Sequence, residues 1–444
     1  AEGLGAVLVI PAIAALAATN YTGRERVVAF AVPGAVTGGA AAAGPLIGGL
    51  VTTYSSWRYV FVAEAVVMTV VLIVSGRIKD VPGDRKLRID LLSVVLSALG
   101  LGLLVYGILQ SKTWGWFQPL DPPVINGQPF APLGISPVAY LILLSLVVLW
   151  LFVKRQQQLE RSGRVPLLKV SLLRITALRS GLTMFMAQYF AIAALFFVVP
   201  VYLQTILGYD ALQTGLKILP LSLGLILFSI LGSRLSTVRT AQNIGRIGQL
   251  TLGLGVLIVF LAVQPELADW AFAAGMFVVG AGFGLLASQL GNVNMSAVSQ
   301  SDTSEVGGLQ GTFQNLGSSF GTAIVGSVFI LLLTSGFTAA VEQSTTIPSD
   351  IQQQVVATAS KGAPIISQQQ AEDLLTDAGA DPESASEVAQ IYADTQVESL
   401  RQSLFFVFAL TVLGLMLSSG LPATLPNPAA PKTDDEDAAS ARPS

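Results

Sequence analysis

Cysteine and histidine are both absent from the 444 residues of this chain. Their absence excludes disulfide bridges, thiolate nucleophiles and imidazole bases, and it removes the usual ligands of transition metals. The sequence also lacks the glycine-rich phosphate-binding loop that nucleotide-driven pumps carry. An enzyme built on this chain would have to work with carboxylates and hydroxyls alone, so we expect no enzymatic activity, no metal and no organic cofactor.

Charged side chains are also scarce, at 11% of the residues, whereas 52% are hydrophobic and 43 residues are glycine. These proportions lie outside those of soluble domains and are typical of a polytopic membrane protein. The net charge of −3 and the lack of a basic domain argue against nucleic acid as a partner. Long uncharged runs predict eleven spans, a partial one at 1–19 followed by 27–51, 59–76, 91–109, 136–153, 181–203, 213–232, 247–263, 268–290, 306–333 and 402–420.

Lys and Arg are distributed unevenly between the segments that connect these spans. One side of the membrane receives 19 of the 24 basic residues. The other side keeps five, which are Arg58, Lys112, Lys217, Lys361 and Arg401. Cytoplasmic segments carry the excess of Lys and Arg, so the basic side and the C-terminus are predicted to lie in the cytoplasm. We therefore expect a protein of the plasma (inner) membrane.

The stretch 31–61 is apolar but poor in large side chains. Ala40, Gly44 and Gly48 recur every fourth residue, so on a helix they form a flat stripe that lets another backbone approach closely. Pro45 removes one backbone donor and predicts a kink within the stripe. Spacing alone does not separate an ordinary tight helix pair from a functional motif.

The run Gly44-Pro45-Leu46-Ile47-Gly48-Gly49 resembles the antiporter motif of the drug:proton antiporters, which belong to the major facilitator superfamily. The run Ser56-Trp57-Arg58-Tyr59-Val60-Phe61 is similar to the loop that follows this motif. Two family glycines upstream of the Gly-Pro pair are Ala31 and Ala40 here. The stretches 199–215, 280–284 and 305–326 are also similar to the family's fourteen-helix branch, in family order.

The resemblance implies an all-α integral membrane protein with the major facilitator fold, about eleven of an expected fourteen helices being present. It also implies that the chain is truncated at its N-terminus, because its first span resembles the fourth family helix. We expect a monomer. Its predicted parts are the last three N-terminal-bundle helices (1–76), a cytoplasmic linker (77–90), two inserted helices (91–153), a second cytoplasmic linker (154–180), a six-helix bundle (181–420) with an extracytoplasmic loop (334–401), and a disordered tail (421–444).

Polar residues inside the predicted spans are the candidate functional groups. Glu64 is the one acid well inside a span, where the charged form is costly, so it is a candidate for binding and releasing protons. The family more often has Asn at this position, and a structural carboxyl between helices is the alternative. The antiporter-motif candidates are Gly44, Pro45, Gly48 and Gly49. The substrate-cavity candidates, for which interhelical hydrogen bonding is the alternative, are Arg58, Gln188, Tyr189, Gln289, Asn292, Gln314 and Asn315.

The resemblance implies a secondary active transporter that exports hydrophobic or amphipathic small molecules in exchange for protons, with alternating access around a midplane site. The energy source would be the proton gradient. Two alternatives stay open. A facilitator of the same fold would take up a metabolite and would not need Glu64, and a non-transporting membrane sensor or truncated product would bind a ligand without moving it.

The charge distribution generates a topology prediction. A reporter fused after Asp350 should be active outside the cytoplasm, and the same reporter fused after Arg164 should be active inside, because the basic segments stay in the cytoplasm. Paired phosphatase and fluorescent-protein fusions measure both positions. The opposite pattern would overturn the predicted orientation.

Overall fold

The computed structural model describes residues 40, 44, 47–76, 90–125, 127–299, 302–359 and 362–421. A helical segment at 47–54 comes first among the described elements. The helices that follow are α1 (Arg58–Ser75), α2 (Leu91–Trp114), α3 (Pro137–Arg161), α4 (Thr176–Pro200), α5 (Ala211–Leu235), α6 (Ala241–Ala262), α7 (Asp269–Ser296), α8 (Thr303–Gln343), α9 (Ser349–Ala359), α10 (Gln368–Asp377) and α11 (Pro382–Leu417). A short antiparallel hairpin, β1 (Val124–Ile125) and β2 (Gln128–Pro129), lies between α2 and α3.

Nine helices in the described part of the chain are long and apolar enough to cross a membrane. They are α1 to α8, with α4 continued to Ile206 by a π-helical turn, and α11. They match the last nine predicted spans, so the all-helical membrane architecture is confirmed. The span at 1–19 lies outside the described residues, as does most of 27–51, and the total of eleven stays a prediction. The predicted linker 77–90 and tail 421–444 also lie outside the described residues, except for Asp90 and Leu421.

Helix α7 is the centre of the second half of the chain, because α5 and α6 both pack against it. Its glycines alternate between the two neighbours. A β-carbon at Gly284 would lie 2.7 Å from the backbone nitrogen of Ser229 in α5, and one at Gly282 would lie 2.7 Å from Cα of Leu252 in α6. Side chains at these glycines would separate the helices, since such distances are below van der Waals contact. The glycines thus set how closely the three helices approach.

The remaining helices enclose this centre. Helix α4 packs against α8, and α11 packs against both α6 and α8. The inserted helices α2 and α3 pack on each other, and α2 contacts α8, where the hydroxyl oxygens of Ser111 and Ser327 lie 3.0 Å apart. Buried Phe272, Phe283 and Phe329 lie in the main apolar core of α4 to α8 and α11. The second half of the chain therefore has a contiguous core of its own.

Helices α8 and α11 are longer than a bilayer requires. With 41 residues, α8 is about 60 Å long, about twice the thickness of the hydrocarbon core. The segment predicted as the loop 334–401 therefore begins as a continuation of α8. Ser367 and Gln370 form a capping box at the start of α10, and Asp381 caps α11, with Pro382 at its first position. These caps satisfy backbone donors that the first turn leaves unpaired.

Helix α3 also runs past its predicted end, to Arg161, and α4 begins at Thr176, so both ends of the predicted linker 154–180 are helical. A polar clasp formed by Asp90, Ser93, Arg155 and Gln156 fastens the extension of α3 to the start of α2. Arg155 donates from Nη2 to Asp90 Oδ1 at 2.9 Å and from Nε to Asp90 Oδ2 at 3.1 Å. The buried Gln156 donates to Ser93 Oγ at 2.6 Å and accepts from the backbone nitrogen of Leu167 at 2.8 Å.

A second ion pair joins the segment before α4 to the start of α8. Lys169 contacts Asp302, and its Nζ also lies 3.3 Å from Glu305 Oε1. The hydrogen bond from Lys169 holds the pKa of Asp302 below its usual range. A small apolar cluster around Leu172, Leu178 and Val306 lies beside it. Together these contacts tie one end of α4 to the same end of α8.

The clasp makes a prediction about pH. Hydrogen bonds from Arg155 and Ser93 hold the pKa of Asp90 below the usual aspartate range. Because the folded pKa is depressed, the stabilisation is fully present above the pKa of an unfolded aspartate, about 3.9, and is lost as the pH falls from there toward the folded value. Asp90→Asn should therefore lower the melting temperature at pH 7, and the difference from the wild type should shrink below about pH 4.

The control for this measurement is Asp121→Asn, since Asp121 is an exposed acid in the connection between α2 and α3. Melting followed by intrinsic fluorescence in detergent at several pH values tests both variants. A stability difference for Asp90→Asn that is the same at pH 7 and pH 3.5 would show that the ion pair contributes nothing.

Candidate functional site

The first candidate region is a contact between the helical segment 47–54 and the start of α5. Gly49 is buried there, and a β-carbon at this glycine would lie 2.5 Å from the carbonyl oxygen of Ala211 and 2.9 Å from Cα of Leu212. The backbone nitrogen of Leu212 donates to Thr53 Oγ1 at 3.2 Å. Asp210 caps α5 and fixes the position of Ala211 and Leu212. A glycine at position 49 is thus what allows the two backbones to touch.

The other antiporter-motif candidates lie differently. Gly44 is exposed and Gly48 is half-buried, and no described atom lies within 4 Å of a β-carbon built at either one. Pro45 lies outside the described residues. The predicted packing of the Gly44 and Gly48 stripe stays a prediction, and the described contact is made by the neighbouring face of the helix, at Gly49.

Helix α1 carries Arg58 and Glu64. Arg58 is exposed, and its guanidinium lies 5.0 Å from the centroid of the Trp57 ring. Glu64 follows six residues later, about 9 Å along the helix. Every side chain of α1 is exposed in the described part of the structure. The two charged groups therefore have no described partner on another helix.

Gln188 and Gln289 are both buried and both donate to a neighbouring helix. Gln188 Nε2 donates to the carbonyl of Phe283 at 3.2 Å, which joins α4 to α7. Gln289 Nε2 donates to the carbonyl of Gly232 at 3.1 Å, which joins α7 to α5. This is the interhelical bonding that the sequence left open as the alternative. Gln188 Oε1 has no partner among the described residues, so one acceptor stays available inside the bundle.

The candidates on α4 and α8 are more accessible. Tyr189 is half-buried, and its ring lies 4.9 Å from that of Phe185 between centroids. Gln314 is half-buried, and Asn315 is exposed and bonded only to the Gly311 carbonyl one turn earlier in its own helix, at 2.9 Å. Asn292 belongs to α7, but its side chain is outside the described part of the structure.

Sequence reasoning missed Asn294, two residues from a candidate that it chose. Asn294 is fully buried in α7, and neither its side-chain oxygen nor its nitrogen has a partner among the described residues. Its side chain occupies the space beside Gly181 of α4, where a β-carbon would collide with the amide oxygen. An amide placed opposite a glycine on another helix is a tertiary feature, so helical spacing gave no signal of it.

These groups can bind a ligand by hydrogen bonds from amides and a phenol within an otherwise apolar bundle. They provide no nucleophile paired with a base. These groups lie on α4, α7 and α8, and the segment 47–54 approaches the same bundle where Gly49 meets Ala211 of α5. The arrangement suits binding of a ligand.

Comparison with known proteins agrees with this architecture. The sequence model of the Major Facilitator Superfamily matches residues 1–322. The probable actinorhodin transporter of Streptomyces coelicolor is 26% identical over 351 residues, covering 77% of this chain and 57% of the relative. The methylenomycin A resistance protein of Bacillus subtilis is 25% identical over 335 residues, covering 75% and 67%. The multidrug resistance protein Stp of Mycobacterium tuberculosis is 24% identical over 365 residues, covering 80% and 62%.

The chain thus spans 57% to 67% of the length of these relatives. The match to the superfamily covers well over half of the chain and includes the Gly49 contact and helices α1 to α7. Together with the nine apolar helices of the described residues, it gives the identity of the fold. The chain is an integral membrane protein that belongs to the Major Facilitator Superfamily.

Proposed function

We propose that the protein is a secondary active exporter of hydrophobic or amphipathic small molecules, driven by proton exchange. The observation that carries this proposal is the Gly49 contact, where an antiporter-like helix of one half meets α5 of the other half without intervening side chains. The names of similar proteins, a probable actinorhodin transporter and a multidrug resistance protein, support export and the substrate class.

Alternating access would use this contact as a closing point. One bundle rocks against the other around a midplane site in transporters of this kind. The start of α5 lies on the side that the charge distribution predicts to be outside the cytoplasm. A close backbone contact there would seal the outer end of the pathway, and its separation would open that end for release.

Substrate binding is assigned to the accessible polar groups of α4 and α8, namely Tyr189, Gln314 and Asn315. A few amides and one aromatic ring on an apolar surface suit ligands that are mostly hydrophobic with a few polar atoms. Gln188 would contribute its unpaired Oε1 acceptor from behind the same helix. Arg58, exposed near the start of α1, would attract anionic or polar parts of a substrate from the solvent side.

Proton coupling is assigned to Glu64. Glu64 is the one acid in α1, six residues from the start of the helix, and the chain has no histidine to do this work. A carboxylate is costly in the hydrocarbon region, so contact with water on either side would decide whether it holds a proton. We further propose that the protein acts as a monomer in the plasma (inner) membrane with its C-terminus in the cytoplasm.

The Gly49 contact predicts a selective effect of one methyl group. Gly49→Ala should overpack the contact, at a cost of about 1–3 kcal/mol to the closed state. Export should then fall roughly tenfold or more, since about 1.4 kcal/mol corresponds to a factor of ten. Efflux of a fluorescent hydrophobic cation from cells carrying the protein measures this change.

Gly102→Ala is the matched control, because Gly102 of α2 is exposed and has no described atom within 4 Å of a β-carbon. This variant should export at the wild-type rate. Equal export by the Gly49 and Gly102 variants, at equal amounts in the membrane, would contradict the closing role of the contact.

Glu64 makes an independent prediction. Glu64→Gln keeps the size and most hydrogen-bonding capacity of the side chain but fixes the neutral state. The variant should bind substrate and lose exchange driven by a pH gradient in proteoliposomes, while Glu64→Asp should retain part of it. Unchanged gradient-driven exchange in the Gln variant would move the proton site elsewhere. Loss of substrate binding together with exchange would indicate that the carboxyl is structural.

A further inference from the structure

The loop between α2 and α3 displays large apolar side chains to the outside of the protein. We call it the proline loop, consisting of the described residues 115–125 and 127–136, which include β1 and β2. Leu133 is 92% exposed, Phe117 is 76% exposed and Val124 is 67% exposed. Ile125 and Phe130 are exposed as well. A loop facing water would not be expected to concentrate such residues.

Charge is almost missing from this part of the chain. Asp121 is the single charged residue between Thr113 and Ser136. The extracytoplasmic segment 334–401, by contrast, carries ten acidic residues. The two segments therefore face different surroundings, although the charge distribution predicts that they lie on the same side of the membrane.

Several backbone N–H groups of the proline loop are absent or already hydrogen-bonded. Proline has no N–H group, so five backbone donors are missing at Pro119, Pro122, Pro123, Pro129 and Pro132. Other donors are paired within the loop or with the end of α2. Leu120 donates to the Trp114 carbonyl at 3.1 Å, and Ser136 donates to the Phe117 carbonyl at 2.8 Å. The missing and the paired donors both lower the cost of removing this backbone from water, since burial of an unpaired polar group is costly.

Leu133 combines an exposed apolar side chain with a strained backbone conformation. Its φ is +56°, a left-handed conformation that a leucine rarely adopts, and Gly134 follows with φ +71°. The side chain is almost fully exposed, so no packing within the described protein compensates for the strain. An apolar environment outside the protein would compensate for it.

The position of Leu133 identifies that environment. The Tyr140 hydroxyl donates to the Pro132 carbonyl at 2.8 Å, which holds the Pro132 turn against the first turns of α3. From there, α3 continues as an exposed apolar face through Leu143, Leu144 and Val147. In a protein that spans the bilayer this face meets lipid tails, and the apolar side chains of the loop continue it. Lipid is therefore the occupant that the geometry favours over a second copy of the chain or a soluble protein.

We propose that the proline loop is a membrane anchor, which inserts Leu133 and the apolar hairpin side chains into the leaflet on its own side of the bilayer. Insertion reaches the boundary between headgroups and acyl chains, about 5–10 Å deep, as for other interfacial segments. It does not reach the hydrocarbon centre, because a lipid-exposed loop cannot satisfy its backbone there. The inserted loop would hold α2 and α3 against tilting relative to the membrane surface.

The absence of cysteine makes a direct test possible, since a single introduced cysteine is the only labelling site. Leu133→Cys and Val124→Cys, each carrying a nitroxide spin label, are reconstituted in phospholipid nanodiscs. Collision rates with oxygen, which partitions into lipid, and with a water-soluble nickel chelate are then measured. Leu143→Cys on α3 serves as the lipid-facing reference, and Asp373→Cys on α10, an exposed acid, serves as the aqueous reference.

We expect the oxygen-to-nickel collision ratio at positions 133 and 124 to approach that of position 143 and to exceed that of position 373 several-fold. A ratio equal to that of position 373 at both loop positions would overturn the proposal. Protection from nickel that appears only in nanodiscs with two or more copies of the protein would also overturn it, and would assign the loop to self-association. Because two loop positions are labelled separately, a local distortion at the strained Leu133 does not decide the result.

Discussion

Close approach of helix backbones is the constraint on which the rest of this structure depends. Inside a bilayer the tails of lipids are as apolar as leucine, so burial of apolar surface does not hold helices together, and packing contacts must do so. The glycines of α7 meet this requirement by letting α5 and α6 touch its backbone directly. The same device recurs where Gly317 of α8 meets Met186 of α4. The glycines of the chain are thus required, first of all, for close packing between helices.

A contact of this kind is also suited to movement. It has no interlocking side chains, so its two sides can separate without repacking a core. The Gly49 contact joins two halves of the chain in this way, whereas Gly282 and Gly284 lie inside one bundle between helices that also share a large buried core. The difference in surroundings is consistent with the opening role that we propose for the first contact, and it makes the second a rigid part of the bundle.

Polar groups divide into those that hold the bundle and those left accessible. The Asp90 clasp and the Lys169 ion pair fasten helix ends, and Gln289 joins α7 to α5 within the bundle. Asn294 and Gln188 have buried atoms without described partners, a situation that is costly and uncommon in folded proteins. The accessible side chains of Tyr189, Gln314 and Asn315 lie on α4 and α8, two helices whose backbones touch at Gly317 and Gly321.

The nine described spans and their approximate limits followed from the sequence, because they depend on local composition. The family followed from the Gly44–Gly49 run for the same reason. Sequence alone also placed Gln188 and Gln289 inside the membrane. It did not show that each donates to a particular carbonyl of another helix, because such a partner lies some sixty to a hundred residues away.

The clasp that fastens the end of α3 to the start of α2 was not evident for a similar reason, since Arg155 bonds to Asp90, which is 65 residues away. The tertiary arrangement likewise decides which glycine of the antiporter-like run touches α5. It also decides the left-handed backbone of Leu133. Hydropathy and spacing therefore determined that this chain crosses a membrane as packed helices. Only the folded structure decided which surfaces meet, because contacts between distant segments depend on the shape of both partners together.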